Sequence, residues 1–239
     1  MKFLYGPVKS RRLGFSLGIN LTPQKTCNFD CLYCQLGRTT ELTGERKEYI
    51  SISNILDELK VWLANNPDLS ATIDYITLSG SGEPTLNTGC GTLIEGIRQA
   101  TNLKVAVLTN SSLLADPAVR RELLAADLIV PSLDAVTQEV FEKIDRPCAG
   151  LKVESIIEGL VSLRKEFRGK IWLEVMLVKG VNDDLRYIKK LKDAVERISP
   201  DKIQINSPVR TAAEEGVFAV AAPKLRKIKG ILGERAEIV

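Results

Sequence analysis

Hydrophobic residues fall along this chain in two alternating rhythms. Short runs rich in β-branched residues occupy positions 15–21 (FSLGINL), 73–79 (IDYITLS), 103–109 (LKVAVLT), 128–132 (LIVPS), 171–178 (IWLEVMLV) and 202–206 (KIQIN). These predict strands, the fifth being the clearest buried one. Between them, apolar positions recur every three or four residues. Ile52, Ile55, Leu56, Leu59, Trp62 and Leu63 share one helical face, and Asn66-Pro67 ends that helix. Positions 92–100, 117–126, 137–144, 153–166 and 223–232 predict further helices, and Leu185, Ile188, Leu191, Val195 and Ile198 trace another helix face.

Strands separated by helices imply a parallel sheet, because parallel neighbours need long crossover connections. The expected fold is therefore α/β, a partial (β/α)6 TIM-like barrel. A single domain over residues 1–239 is expected, since no repeat, low-complexity tract or linker interrupts the pattern. Each predicted strand is followed by a polar cluster. A cysteine-rich stretch follows the first, GSGEPT (80–85) the second, TNSS (109–112) the third, SLD (132–134) the fourth, KGVND (179–183) the fifth and NSPVR (206–210) the sixth. Carboxyl ends of barrel strands share one rim, so these segments are expected to meet. Six strands do not close a barrel, and the open side would admit a bulky substrate.

Composition removes several chemistries. The chain has no histidine, which excludes Ser-His-Asp and Cys-His catalysis and every zinc site built on imidazole. A net charge of +3 is too small to argue for nucleic acid or a membrane surface. No apolar run approaches the roughly 20 residues of a membrane span, and Gly6-Pro7 breaks the only apolar stretch near the N-terminus, so neither a membrane nor a secretory signal is expected. Three of the five cysteines lie within CNFDCLYC (27–34). That crowding argues against a disulfide framework and for a reducing cytoplasm. Lys9, Arg11 and Arg12 form a basic spot suited to a solvated face, a substrate phosphate or a redox partner.

Cys27, Cys31 and Cys34 form a CxxxCxxC pattern that resembles the signature of the radical SAM (S-adenosylmethionine) superfamily. The resemblance implies that the three thiolates, soft ligands suited to iron–sulfur clusters, hold three irons of a [4Fe–4S] cluster. SAM then chelates the open fourth iron and is cleaved reductively to a 5′-deoxyadenosyl radical. GSGEP is similar to the family's glycine–glycine–glutamate motif, with Ser81 in place of one glycine. On this resemblance Gly80, Ser81, Gly82 and Glu83 receive the methionyl amine of SAM. Tyr33, before the last cysteine, lies near adenine, and Ser132 and Asp134 bind ribose hydroxyls. Glu174 and Met176 share a face on the fifth strand and, with Asn110 and Asn206, complete the implied contacts.

The stretches 5–41 and 173–184 further resemble Fe–S oxidoreductases grouped with wybutosine-type tRNA-modifying enzymes. That group's tRNA enzyme carries additional upstream cysteines for a second cluster. None precedes Cys27 here, which argues against the wybutosine reaction itself. The resemblance implies a one-electron donor of flavodoxin or ferredoxin type, and three substrate classes compete beneath it: RNA or a nucleotide, a protein or peptide side chain, and a small metabolite. Two other readings compete: a zinc site with Cys90 or Cys148 as fourth ligand, and a non-enzymatic iron–sulfur electron-transfer module. Outside the zinc reading, Cys90 and Cys148 are expected to be structural.

Overall fold

The structure, a computed structural model, describes residues 1–10, 12–209 and 212–239. Arg11 of the basic spot and Arg210 after the sixth predicted strand lie outside the described residues. One sheet runs β1 (Leu4–Ser10), β2 (Gly14–Asn20), β3 (Tyr75–Ser79), β4 (Lys104–Thr109), β5 (Leu128–Pro131), β6 (Lys170–Met176), β7 (Lys202–Asn206) and β8 (Ala236–Ile238), side by side in that order. Neighbours are parallel throughout except for the antiparallel β1–β2 hairpin.

Strands β2 to β7 are the six predicted from the pattern. The edge strands β1 and β8 are corrections to it. Gly6 and Pro7 read as strand breakers, but Pro7 sits on an edge strand, where the sheet tolerates a missing N–H. β8 has only three residues, too few to show a period.

Helices α1 (Ile52–Asn65), α2 (Cys90–Ala100), α3 (Pro117–Leu123), α4 (Gln138–Ile144), α5 (Val153–Glu166), α6 (Leu185–Ile198) and α7 (Ala222–Leu232) lie between or after the strands. The strand order never doubles back. With right-handed crossovers, every connection then returns on the same side of the sheet, and helices α1 to α3 and α4 to α7 pack each on the next. This is the arc of an open barrel, not a doubly wound sheet, whose order reverses. No helix among the described residues is long and apolar enough to cross a membrane.

Period-two alternation divides the strand residues between two environments. Leu17, Ile19, Ile76, Leu78, Val105, Val107, Ile171, Leu173, Val175 and Ile205 face the helices and are fully buried in the main core. Burying each is worth about 1.5–3 kcal/mol. That layer carries the stability, which leaves the concave face free for polar groups. Leu13, from the β1–β2 turn, plugs the lower end of the concave face against Ala106, Leu128 and Val130. Above it lie the Ser16–Thr77 hydroxyl pair at 2.5 Å and an ion pair between Arg12 and Glu174. The Tyr5 ring lies flat on Gly18, where any Cβ would fall 2.1 Å from it. Its hydroxyl is 2.5 Å from Ser79 Oγ.

Candidate active site

Backbone contacts to the α4–α5 connection hold the cysteine loop above the strand ends. Asp30 N–H donates to Asp145 O (3.0 Å), Leu32 N–H to Ile144 O (3.0 Å), and Cys148 N–H to Asn28 O (2.8 Å). Phe29 anchors the loop edge-on against Phe141, with ring centroids 5.2 Å apart. Asp30 Oδ1 accepts from Thr39 N–H at 2.6 Å and closes the loop on itself. Buried Asn28 reaches inward instead. Its amide donates to Ser112 Oγ (2.6 Å), and its carbonyl accepts from Asn110 Nδ2 (2.7 Å).

Asn110 ties three motifs together. Its Nδ2 lies 3.6 Å from Cys27 Sγ, and its backbone N–H donates to Glu83 Oε2 at 2.7 Å. Glu83 Oε1 accepts from Thr85 N–H (3.1 Å), Thr85 Oγ1 (2.6 Å) and Thr109 Oγ1 (2.6 Å). Glu83 is buried. Burial pushes its carboxyl above the usual range, against the opposing pull of those hydrogen bonds. Gly80 takes φ +116°, and Ser81 N–H donates to Asn20 Oδ1 at 3.0 Å. Gly82 packs on the Thr26 carbonyl immediately before Cys27, and Glu83 N–H donates to that same carbonyl at 3.1 Å.

The ends of β5 and β6 meet through Asp134. Its carboxylate accepts from the Tyr33 hydroxyl and, at 2.7 Å, from Met176 N–H. Ser132 pairs with Glu174 across the strands, and both Ser132 and Asp134 line a recess with Tyr33 and Asn110. Burial pushes the Asp134 carboxyl up to about 6. Burial and then the Asp134 charge also raise its neighbour Asp145. Asp134 therefore binds more protons folded than unfolded. Its contribution to stability is full below about pH 4 and is lost as pH rises to 6, on the order of 2–3 kcal/mol. An asparagine in its place can still accept from Met176 N–H and donate to Tyr33. Asp134→Asn is expected to flatten the pH dependence of urea denaturation of the apoprotein between pH 4 and 7. An unchanged slope would assign that dependence elsewhere.

Cys27, Cys31 and Cys34 are half-buried free thiols. Burial, then the charges of Glu83 and Cys34, push Cys27 up to about 12. Burial, then Asp145, Cys27 and Asp134, raise Cys31. Cys27 and Cys31 thus sit where a free thiolate is disfavoured and a ligand of a cationic metal centre is suited. Among the described residues no three Cys, Asp or Glu side chains converge tightly enough for one metal ion. A single zinc, with bonds of about 2.3 Å to sulfur, needs that convergence, whereas a cubane takes each thiolate at a different corner. Cys90 is fully buried, with its thiol 3.3 Å from Pro84 O. The Cys148 sulfur faces Gly44.

The radical SAM superfamily model matches residues 21–191. The chain belongs to that superfamily. Over 228 residues it is 40% identical to a protein named GTPase Obg from Brachyspira hyodysenteriae, covering 95% of this chain but only 33% of that protein. It is 35% identical over its whole length to a UPF0026 protein of Methanocaldococcus jannaschii, of which it spans 73%. The solved structure of archaeal TYW1, a wybutosine enzyme, superposes with a TM-score of 0.59 at 18% identity, covering 92% of this chain and 72% of that one. The radical SAM cofactors are a [4Fe–4S] cluster and SAM, and the half-buried three-thiol set fits the cluster.

The remaining sequence-predicted residues line a larger cavity of about 540 Å³ with Tyr33 and Cys34. Glu174, Met176 and Asn206 all face it, together with Gly80. Glu174 is held by Arg12 and by Asn206 Nδ2 at 3.3 Å, and two members of the basic spot, Lys9 and Arg12, line the cavity. Three residues of this region escaped the sequence reading. Asp145 sits 3.5 Å from Cys31 Sγ. Tyr5 walls the cavity from β1. Glu214 bridges Arg38 of the cysteine loop (2.5 Å) and Arg146 of the α4–α5 connection (2.7 Å). No local pattern marks any of the three, because each meets its partner across a large sequence separation.

Proposed function

We propose that this protein is a radical SAM enzyme, acting as one core domain in a reducing cytoplasm, that cleaves SAM reductively and modifies a substrate entering from the open side. When bound, the cluster and SAM supply one electron and a 5′-deoxyadenosyl radical. Cys27, Cys31 and Cys34 hold the cluster. The turn Gly80–Ser81–Gly82–Glu83 receives the methionyl amine, since Glu83 Oε2 has a single donor and keeps a lone pair for an ammonium. Tyr33 and Asp134 form one hydrogen-bonded unit that, with Ser132, positions adenine and ribose. Asn110, Glu174, Met176 and Asn206 shape the wall and exclude water. A flavodoxin- or ferredoxin-like protein delivers the electron.

One observation carries this reading. Asn110 bonds Glu83 through its backbone and approaches Cys27 through its amide, so the thiol motif and the GSGE turn form one structure. An electron carrier has no use for that second half.

The test is anaerobic reconstitution with iron and sulfide, then dithionite and SAM, with 5′-deoxyadenosine quantified. Wild type is expected to form it and Cys31→Ala to form none. A reducible cluster whose spectrum ignores SAM, without product, would establish the electron-transfer module instead.

A further inference from the structure

The open side of the barrel is a slot. One wall is β1, contributing Tyr5, Val8 and Lys9. The other is the segment after β7, contributing Val209. Leu36, two residues beyond Cys34, lies between them at the cysteine loop, and all five line the same cavity. Four of the twelve large hydrophobic side chains exposed among the described residues are Tyr5, Val8, Leu36 and Val209, at 38–68% exposure. Scattered exposed apolar residues need no explanation, but four around one mouth do.

Charge narrows the occupant. The Arg12 guanidinium is matched by Glu174, and Lys9 is the cavity-lining cation that forms no ion pair among the described residues. A nucleic acid brings one anion per nucleotide and gains its affinity by neutralising several of them with cations. Among the described residues this rim instead offers apolar surface and one unpaired cation. A small metabolite would be enclosed over most of its surface, whereas here the rim side chains stay open to solvent. The geometry also suits an extended chain, because β1 is the sheet edge and its backbone pairs only with β2 among the described residues. Peptides dock on such edges through main-chain hydrogen bonds, with alternate side chains entering pockets.

We propose that the substrate is a polypeptide, bound as an extended segment in the slot between β1 and the segment after β7, with an apolar side chain against Val8, Leu36 and Val209 and an acidic residue at Lys9. This deepens the enzyme reading above and rests on it for the chemistry, though not for the binding.

The probes are a display library of random dodecapeptides and a pool of single-stranded RNA of similar length. Both are panned against anaerobically reconstituted enzyme with SAM. Wild type, Val8→Glu and Lys9→Glu are compared at equal iron content. Enrichment of peptides pairing an apolar with an acidic residue is expected. Their affinity should fall about tenfold or more with Val8→Glu, and Lys9→Glu should turn the preference toward basic residues. No peptide enrichment, or affinity indifferent to both variants, overturns the proposal. So does RNA binding with a steep salt dependence. 5′-deoxyadenosine formation is measured on the same batch. Peptide binding by a protein that cleaves no SAM would sink the enzyme reading and leave this surface standing.

Discussion

Gly82→Ala is expected to prevent cluster assembly. A Cβ on Gly82 would stand 1.8 Å from the Thr26 carbonyl oxygen, 2.7 Å from its carbon and 2.9 Å from Thr22 Oγ1. Two of those atoms are backbone, so no rotamer relieves the contact. Either the GSGE turn or the chain entering Cys27 must move by more than an ångström, and the Glu83 N–H to Thr26 O bond at 3.1 Å is lost with it. Overpacking costs about 1–3 kcal/mol where side chains can adjust, and a backbone clash lies at or above that upper end. We expect a fall of about 3 kcal/mol or more in urea denaturation and iron binding below about a tenth of wild type. Gly230→Ala is the control. It lies in α7 with nothing within 4 Å of its would-be Cβ, and alanine is the better helix former there by about 1 kcal/mol. Normal iron content in Gly82→Ala would mean that the turn does not rest on Thr26.

That contact explains how far the site could be read from sequence. The strands β2 to β7 were legible because each buries an apolar run against helices, and burial leaves a period. The rim followed from their common direction, and CxxxCxxC and GSGEP marked where chemistry sits. What joins them was not legible. Asn110 is one polar residue after a strand, and nothing in TNSS says that its amide turns to Cys27 while its backbone caps Glu83. Glu174 reads as a cofactor contact or as the partner of a buried cation, and only the structure supplies that cation, Arg12 from the β1–β2 turn. The hairpin was missed because Gly6-Pro7 breaks its pattern, and with it went the wall that makes the open side a slot. Sequence periodicity reports what faces the core, while hydrogen bonds between loop side chains depend on geometry that no spacing encodes.

Glu83 is where the structural and binding roles of the site can be separated. Glu83→Ala would leave the backbone N–H groups of Thr85 and Asn110 without acceptors and open a buried void. Each stranded donor costs about 1–3 kcal/mol and the void adds to that, so a loss of roughly 3–5 kcal/mol and an uninformative, poorly folded variant are expected. Glu83→Gln differs. Its amide oxygen still accepts from Thr85 and Thr109, and only the contact with Asn110 N–H turns unfavourable, for about 1–2 kcal/mol. The pH dependence checks the assignment. Because burial raises the Glu83 carboxyl when folded, wild type loses stability as pH climbs from the ordinary glutamate value toward the raised one. The glutamine side chain has no proton to lose, so the stability gap between Glu83→Gln and wild type should narrow across that window. The folded glutamine variant then isolates the charge. If Glu83 Oε2 receives the methionyl ammonium, replacing the carboxylate removes a charge-assisted hydrogen bond. SAM binding to the reconstituted protein should weaken about tenfold or more, at unchanged iron content. Unaltered SAM affinity in a folded, iron-replete Glu83→Gln protein would confine Glu83 to tying the turn to β4, and the ammonium would be left to the backbone carbonyls of the turn.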